Sequence, residues 1–319
     1  MMQMTENTPR GQMQERSEDH CRIVENLCDI FTKIISKSKI KANSYTVVEK
    51  GNMSVCLQVT DYSGQKYLIK ICTNDRLFAE TFWRKNLYEN KLNVPKSIYI
   101  DCSKKDIGYM YEILEFIEGI HINTSISEEL QYSGAYLIGQ ELRRHHNIAV
   151  SGFESVDCDG RWTKKTWIET LQDYLGIRQR HKCALELFTQ KEIDRIYDYA
   201  IHDKMMDIQN PKLIHGDVGY NNLIYTPEKD KIYFLDPGRI IGGDPIFDLA
   251  YASMPWAKGL FFRGIMDGYE KEKPLTSEEA HRFRKLRLIC LVSNALGLYL
   301  KKREYNPFIE PARVMLEGI

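Results

Sequence analysis

Leu213-Ile214-His215-Gly216-Asp217-Val218-Gly219-Tyr220-Asn221-Asn222-Leu223-Ile224 sets an aspartate five residues before an asparagine, between two apolar stretches. Phosphoryl transfer needs such a pair. The aspartate accepts a hydrogen bond from an attacking hydroxyl and orients it, and the asparagine carbonyl oxygen helps hold a magnesium ion. Phe234-Leu235-Asp236-Pro237-Gly238-Arg239 follows, a carboxylate at a strand end before a glycine turn. Mg²⁺ prefers hard oxygen ligands and keeps some of its waters, so Asp236 suits a second ligand beside Asn222.

Working toward the N-terminus, Tyr67-Leu68-Ile69-Lys70 reads as a strand closed by a lysine. That is where a lysine meets the α- and β-phosphates in the V-A-I-K pattern. Glu80, on the next predicted helix, is placed to pair with Lys70; Glu89 and Glu49 are the nearby alternatives. The Gly51-Asn52-Met53-Ser54 turn precedes that strand and can cover phosphates, though it is not a G-x-G-x-x-G loop. The plain reading of Lys70 is a solvated lysine at a sheet edge.

The rest of the chain falls into a strand-rich part and a helix-rich part. Residues 1–17 are polar and read as a mobile tail. Glu18–Ser36 carries apolar residues at helical spacing. Strands are predicted over Tyr45–Val48, Val55–Thr60, Lys66–Ile71, Ser97–Asp101 and Tyr109–Glu115, with a helix over Asn74–Asn90. After Glu118 the pattern turns helical: Ser127–His146, Trp167–Arg180, Gln190–Met206 and Pro274–Lys302, with Val150–Thr163 as loop. The expected organisation is a tail, a nucleotide-binding lobe over 18–117 and a catalytic, substrate-binding lobe over 118–319.

His215-Gly216-Asp217 with Asn222 matches H-G-D-x-x-x-x-N, and Asp236 with Gly243-Asp244-Pro245-Ile246-Phe247-Asp248-Leu249-Ala250 matches D-x-x-x-x-x-x-G-D-P-x-x-D-L-A. On these motifs, over about residues 40–300, the chain resembles the aminoglycoside phosphotransferase family. Gly219, Asn221-Asn222, Ser151-Gly152-Phe153 and Asp159-Gly160-Arg161 ahead of Trp167 look most like its hygromycin-B-type branch. The resemblance implies an α+β, bilobal protein-kinase-like fold, with a small antiparallel-sheet N-terminal lobe and a larger helical C-terminal lobe. It implies ATP and Mg²⁺ as cofactors, with GTP left open. By the same carry-over Asp217 positions or deprotonates the acceptor hydroxyl, and Asn222 and Asp236 ligate Mg²⁺. Lys70 holds phosphates with Glu80 orienting it, and His215 braces the loop. Leu114–Glu118, including Glu115 and Ile117, forms the hinge that meets the base, and Leu68, Ile224 and Leu235 flank it. Asp244 and Asp248 are structural, with Asp248 beginning a helix. Pro237 and Arg239 depart from the Trp or Phe common after the metal-binding aspartate.

Composition narrows the rivals. Of 319 residues 43% are apolar and 28% charged, ordinary for a globular chain. The 44 basic and 44 acidic residues leave no net charge to draw nucleic acid or an anionic membrane. Eight scattered cysteines without C-x-x-C read as reduced thiols. The first twenty residues lack the apolar core of a secretory signal, and Leu286–Leu300 is too short and polar to span a bilayer. A cytoplasmic location is therefore expected. His145 and His146 are neighbours on a helix and point to different faces, which disfavours a joint metal site. Seven residues separate Asp236 from Asp244, too few for a protein-kinase activation loop. A non-catalytic nucleotide-binding protein would show a lost Asp217, Asn222, Asp236 or Lys70, and none is lost. The expected partners are a nucleotide and a small hydroxylated substrate: an aminocyclitol antibiotic, a macrolide, or a metabolite such as choline, a fructosamine or a sugar.

Overall fold

The structure is a computed structural model describing residues 18–48, 54–123 and 125–318. The predicted tail, Gly51 and Asn52 lie outside the described residues. The chain divides into two compact units: one runs to Leu77 and includes Ser97–Phe116, and the other holds Phe78–Lys96 and the chain from Ile117 onward.

The first unit holds α1 (Glu18–Glu25), α2 (Leu27–Lys37), β1 (Tyr45–Val48), β2 (Ser54–Thr60), β3 (Lys66–Cys72), β4 (Ser97–Asp101) and β5 (Met110–Glu115). Its sheet runs β1-β2-β3-β5-β4, antiparallel throughout. The alternation of Val55, Leu57 and Val59 puts all three in the core, against Ile30, Phe31 and Ile34 of α2. The single helix predicted over Glu18–Ser36 is two helices. The break falls at Asn26, whose backbone leaves helical geometry (φ −106°, ψ 18°).

The second unit begins with α3 (Leu77–Glu89) and continues through β6 (Ile120–His121), α4 (Glu128–His145), β7 (Phe153–Val156), β8 (Trp162–Lys164), α5 (Trp167–Leu175), α6 (His181–Leu187) and α7 (Gln190–Ile196). Then come β9 (Lys212–Leu213), β10 (Leu223–Thr226), β11 (Lys231–Phe234), β12 (Gly242–Gly243), α8 (Ile246–Ala252), α9 (Phe261–Tyr269), α10 (Ser277–Leu300) and α11 (Asn306–Glu317). Two small sheets, β11-β10-β6 and β8-β7-β12-β9, carry the loops of interest. Leu286, Leu288, Ile289, Leu291, Val292 and Leu296 of α10 are buried. Each such side chain contributes about 1.5–3 kcal/mol relative to exposure, so the apolar run is a core helix.

Several predicted boundaries shift. Ser127 caps α4 as expected, its side chain accepting from Leu130 N–H. Residues 150–163, read as loop, contain the β7–β8 hairpin: Phe153 and Val156 are buried there, and β12 pairs with β7 through Gly242. That pairing comes from a partner about ninety residues away, which local composition does not reveal. The Trp167–Arg180 helix stops at Gly176, a left-handed C-cap. The Gln190–Met206 helix loosens into a π turn over Tyr197–Ile201 and a 3₁₀ turn over Lys204–Met206. The helix assigned to start at Asp248 starts two residues earlier, at Ile246. Among the described residues no helix is long and apolar enough to cross a membrane.

Candidate active site

In the second unit two loops pack backbone against backbone. The His215-Gly216-Asp217 loop leaves β9, and the Asp236-Pro237-Gly238 loop leaves β11. Gly238 N–H donates to the His215 carbonyl at 2.7 Å. A Cβ on Gly216 would stand 2.1 Å from the Ile240 carbonyl oxygen, and one on Gly238 2.3 Å from the Gly216 oxygen. Gly216 also has φ +73°, a left-handed conformation that costs other residues. Only glycine permits this approach from both sides.

His215 ties the loops together. Its ring Nδ1 accepts the Asp217 N–H at 3.2 Å, which leaves Nε2–H to donate to the Leu235 carbonyl at 2.7 Å. Behind it Asp248, fully buried, accepts His215 N–H and Gly216 N–H, each at 2.7 Å, and the His146 imidazole at 3.0 Å. Burial alone would raise this carboxyl, but His146, with His215 and His145 near, holds it below its ordinary range. Trp83 of α3 completes the brace: its indole N–H donates to the Ile214 carbonyl at 3.0 Å and its ring meets His215 edge-on. Asp244 bonds Ile246 N–H and pairs with Arg282 at 2.7 Å, anchoring the start of α8. Both aspartates therefore have the structural places expected of them.

Asn222 closes the loop. Its side-chain N–H donates to the Asp217 carbonyl at 2.9 Å, which turns its Oδ1 away as an acceptor. The Asn222 carbonyl takes Leu235 N–H at 2.8 Å, placing the next residue, Asp236, beside it. Asp236 is exposed and takes φ +39°. An amide oxygen and a carboxylate in this arrangement form a hard-oxygen donor set that fits Mg²⁺. Ile224 lies on β10 opposite Tyr233, and Leu235 directly follows β11. Arg239, where the family often has an aromatic residue, pairs with Glu154 at 3.2 Å.

Sequence reasoning missed the aromatic surroundings of Asp217. The Tyr251 phenol faces the Asp217 carboxylate; burial first, then that negative charge, push the phenol well above its ordinary range. Tyr174 is raised likewise by burial, with the Cys290 thiol and the Asp217 charge near it. Trp256 lies 5.7 Å from Tyr251 and 5.6 Å from Tyr220, ring centre to ring centre. A Cβ on Gly219 would stand 3.7 Å from the Trp256 indole and 3.9 Å from Asp217 Oδ1. The only local signal was the aromatic content of residues 247–262, which reads as core.

In the first unit Lys70 stands on β3, the middle strand, with Cys56 and Glu112 as its cross-strand partners. It is 5% exposed, so it is not a solvated edge lysine. Leu68 pairs in register with Gln58 and Leu114, and Ser54 opens β2. Glu115 is exposed at the end of β5. Glu80, also 5% exposed, belongs to the second unit, one helical turn before Trp83. Its alternative Glu89 pairs with Lys85 at the surface, and Glu49 lies outside the described residues. Ile117 is half-buried in the extended segment that opens the second unit's longer stretch.

The fold is kinase-like, and with its site it defines a small-molecule phosphotransferase. Residues 46–283 match the phosphotransferase enzyme family (APH), and the chain belongs to it. Among solved structures it is similar to a thermostable mutant of aminoglycoside phosphotransferase APH(4)-Ia in ternary complex with ADP and hygromycin B. There the identity is 13%, the TM-score 0.68, and 92% of this chain and 98% of that one are covered. Amicoumacin kinase hAmiN in complex with AMP-PNP, Ca²⁺ and Ami aligns at 13% identity and TM-score 0.67, covering 94% and 95%. A putative fructosamine-3-kinase from Thermobifida fusca YX-ER1 aligns at 17% identity and TM-score 0.64, covering 90% and 98%. No curated protein sequence matches the chain.

Proposed function

We propose that the protein transfers the γ-phosphate of ATP to a hydroxyl of a small molecule in the cytoplasm. The observation that carries this reading is the convergence of Asp217, Asn222 and Asp236 on two interlocked loops. Asp217 accepts the proton of the acceptor hydroxyl and aims its oxygen at phosphorus. Tyr251 holds that carboxylate in place. Asn222 and Asp236 hold Mg²⁺, which when bound neutralises charge on the β- and γ-phosphate oxygens. Lys70 supports the α- and β-phosphates, with Glu80 orienting it. Ser54, with Gly51 and Asn52, covers the phosphates; Leu68, Ile224 and Leu235 flank the base, and Glu115 and Ile117 supply the hinge. In this division of labour residues 18–117 serve the nucleotide and 118–319 the chemistry and the acceptor. Positioning and fixed charge, more than covalent participation, lower the barrier.

The acceptor is an aminocyclitol antibiotic, or a metabolite such as choline, a fructosamine or a sugar; kinases described for both kinds share the fold. The test is ADP release with Mg²⁺ and ATP across such a panel, with Asp217→Ala in parallel. One acceptor turned over by the wild type and lost in the variant by several orders of magnitude is the expected result. A chain that binds neither ATP nor GTP would overturn the reading.

A further inference from the structure

Gly219 stands two residues after Asp217, and nothing in its own geometry asks for glycine. Its backbone is extended, φ −122° and ψ 162°, a conformation any residue adopts. A Cβ built there meets no atom closer than 3.7 Å, an ordinary van der Waals contact. Gly216 and Gly238, in the same two loops, are required by crowding; Gly219 is not. What its missing side chain leaves open is a position. The point where that Cβ would stand is 3.9 Å from Asp217 Oδ1, and 3.7 and 4.0 Å from Cη2 and Cζ3 of Trp256. Asp217, Gly219 and Trp256 are each half-buried, so none of the three is sealed in the core.

Both sides of this position are held in place. Gly219 N–H donates to the Asp217 carbonyl at 2.8 Å, and its own carbonyl accepts Asn222 N–H at 3.0 Å. Trp256 lies in the turn between α8 and α9. The Tyr220 hydroxyl donates to the Trp256 carbonyl at 2.6 Å and accepts Lys258 N–H. Gln131 of α4, buried, accepts Leu260 N–H at 2.7 Å and donates to the Lys258 carbonyl at 3.4 Å. The indole itself rests among the rings of Tyr220, Tyr251 and Phe261. A turn fixed by two polar side chains from separate elements, and a ring fixed by three others, make Trp256 a wall of settled position.

We propose that the open position belongs to the acceptor: the carbon that bears its hydroxyl rests on the bare Cα of Gly219, against the outer end of the Trp256 indole, while the hydroxyl meets Asp217. Gly219 and Trp256 then determine which acceptors are phosphorylated. This rests on the phosphotransfer reading and names residues of its acceptor side. A hydroxyl bonded to a carboxylate stands about 2.5–2.7 Å from it, oxygen to oxygen, and the carbon bearing it lies roughly one bond farther off. Carbon meets an aromatic ring at about 3.5–4.0 Å. The position left by Gly219 meets both conditions at once.

The experiment uses hygromycin B, glucose, myo-inositol and choline as acceptor probes, with water as the smallest acceptor, read as ATP hydrolysis. ADP release is followed with ATP and Mg²⁺. For a probe that the wild type phosphorylates, Gly219→Leu is expected to raise KM by about 10–100-fold, the range that overfilling a site costs, and Gly219→Ala by less. The loss in kcat/KM with Gly219→Leu is expected to be larger for the probe than for water by about tenfold or more, since water needs little room. Trp256→Ala raises the probe's KM as well, and Trp256→Phe recovers part by restoring a ring. In parallel, tryptophan emission of the chain saturated with Mg·ADP is titrated with each probe. A change seen in the wild type and absent in Trp256→Phe is expected. A probe KM within twofold of wild type in Gly219→Leu overturns the inference. So do equal losses for probe and water, which would mean that leucine deforms the loop instead of filling the acceptor's place. An emission change that survives in Trp256→Phe overturns it, as does a chain that binds ATP yet shows neither transfer nor an emission change with any probe. The emission titration uses the unaltered chain, so it holds whatever leucine does to folding. Absence of nucleotide binding would instead strike at phosphotransfer itself.

Discussion

Asp248 accepts the backbone N–H of Gly216 at 2.7 Å, with both groups out of water. Its other oxygen takes His215 N–H and the His146 ring, so one carboxylate sets the loop that carries Asp217. Asp248→Ala leaves those donors unpaired in the core. At about 1–3 kcal/mol for each stranded group, a loss of about 3 kcal/mol or more is expected in urea unfolding. Asp248→Asn keeps the shape but turns an N–H toward an N–H, so it too is destabilising, by less. Unchanged stability in both would mean the loop is held elsewhere.

Tyr251→Phe removes the hydroxyl that faces Asp217, and any hydrogen bond it makes to that carboxylate when the site works, while keeping the ring against Trp256. Such bonds to a charged group contribute about 1.5–3 kcal/mol. A fall in kcat of about 10–100-fold is expected, with nucleotide affinity and melting temperature near wild type. A change in affinity alone would show that Tyr251 serves binding rather than the placement of Asp217.

Two glycines with the same backbone angle separate strain from crowding. Gly216 and Gly160 both have φ +73°, but a Cβ at Gly160 meets nothing within 4 Å. Gly160→Ala should cost only the left-handed penalty, about 1–2 kcal/mol. Gly216→Ala adds the collision with the Ile240 carbonyl, for which overpacking adds about 1–3 kcal/mol more. Thermal melts of the two variants side by side read the difference, and activity should fall with Gly216→Ala alone.

Acid should weaken the second unit through Asp203. Burial would raise its carboxyl, but hydrogen bonds from His281, Met205 N–H and Lys285 outweigh that and hold it below its ordinary range. A carboxyl depressed on folding adds stability above its unfolded pKa, about 3.9, and loses it as pH falls toward the folded value. The melting temperature should therefore drop between about pH 4 and the acid limit in part because of this group. Asp203→Asn should start lower at neutral pH and fall less steeply below pH 4. Parallel curves for variant and wild type would remove Asp203 from the acid response.

His215, Asp217, Asn222 and Asp236 were legible because their roles depend on spacing within short loops, which a single chain displays directly. The five strands of the first unit were legible for a similar reason: alternating apolar residues and turn residues are local signals. The β7–β8 hairpin was not, because Gly242 that pairs with it is far along the chain. Nor was the break at Asn26, a single residue inside a run of helical periodicity. The buried position of Lys70 on a middle strand came only from sheet order. Tyr251 and Trp83 sit on helices whose apolar pattern says core and nothing more. Packing alone brings one of them to a carboxylate and the other to a loop carbonyl. Local chemistry thus followed from sequence, while long-range partners, which depend on what the folded chain brings near, were decided by tertiary structure.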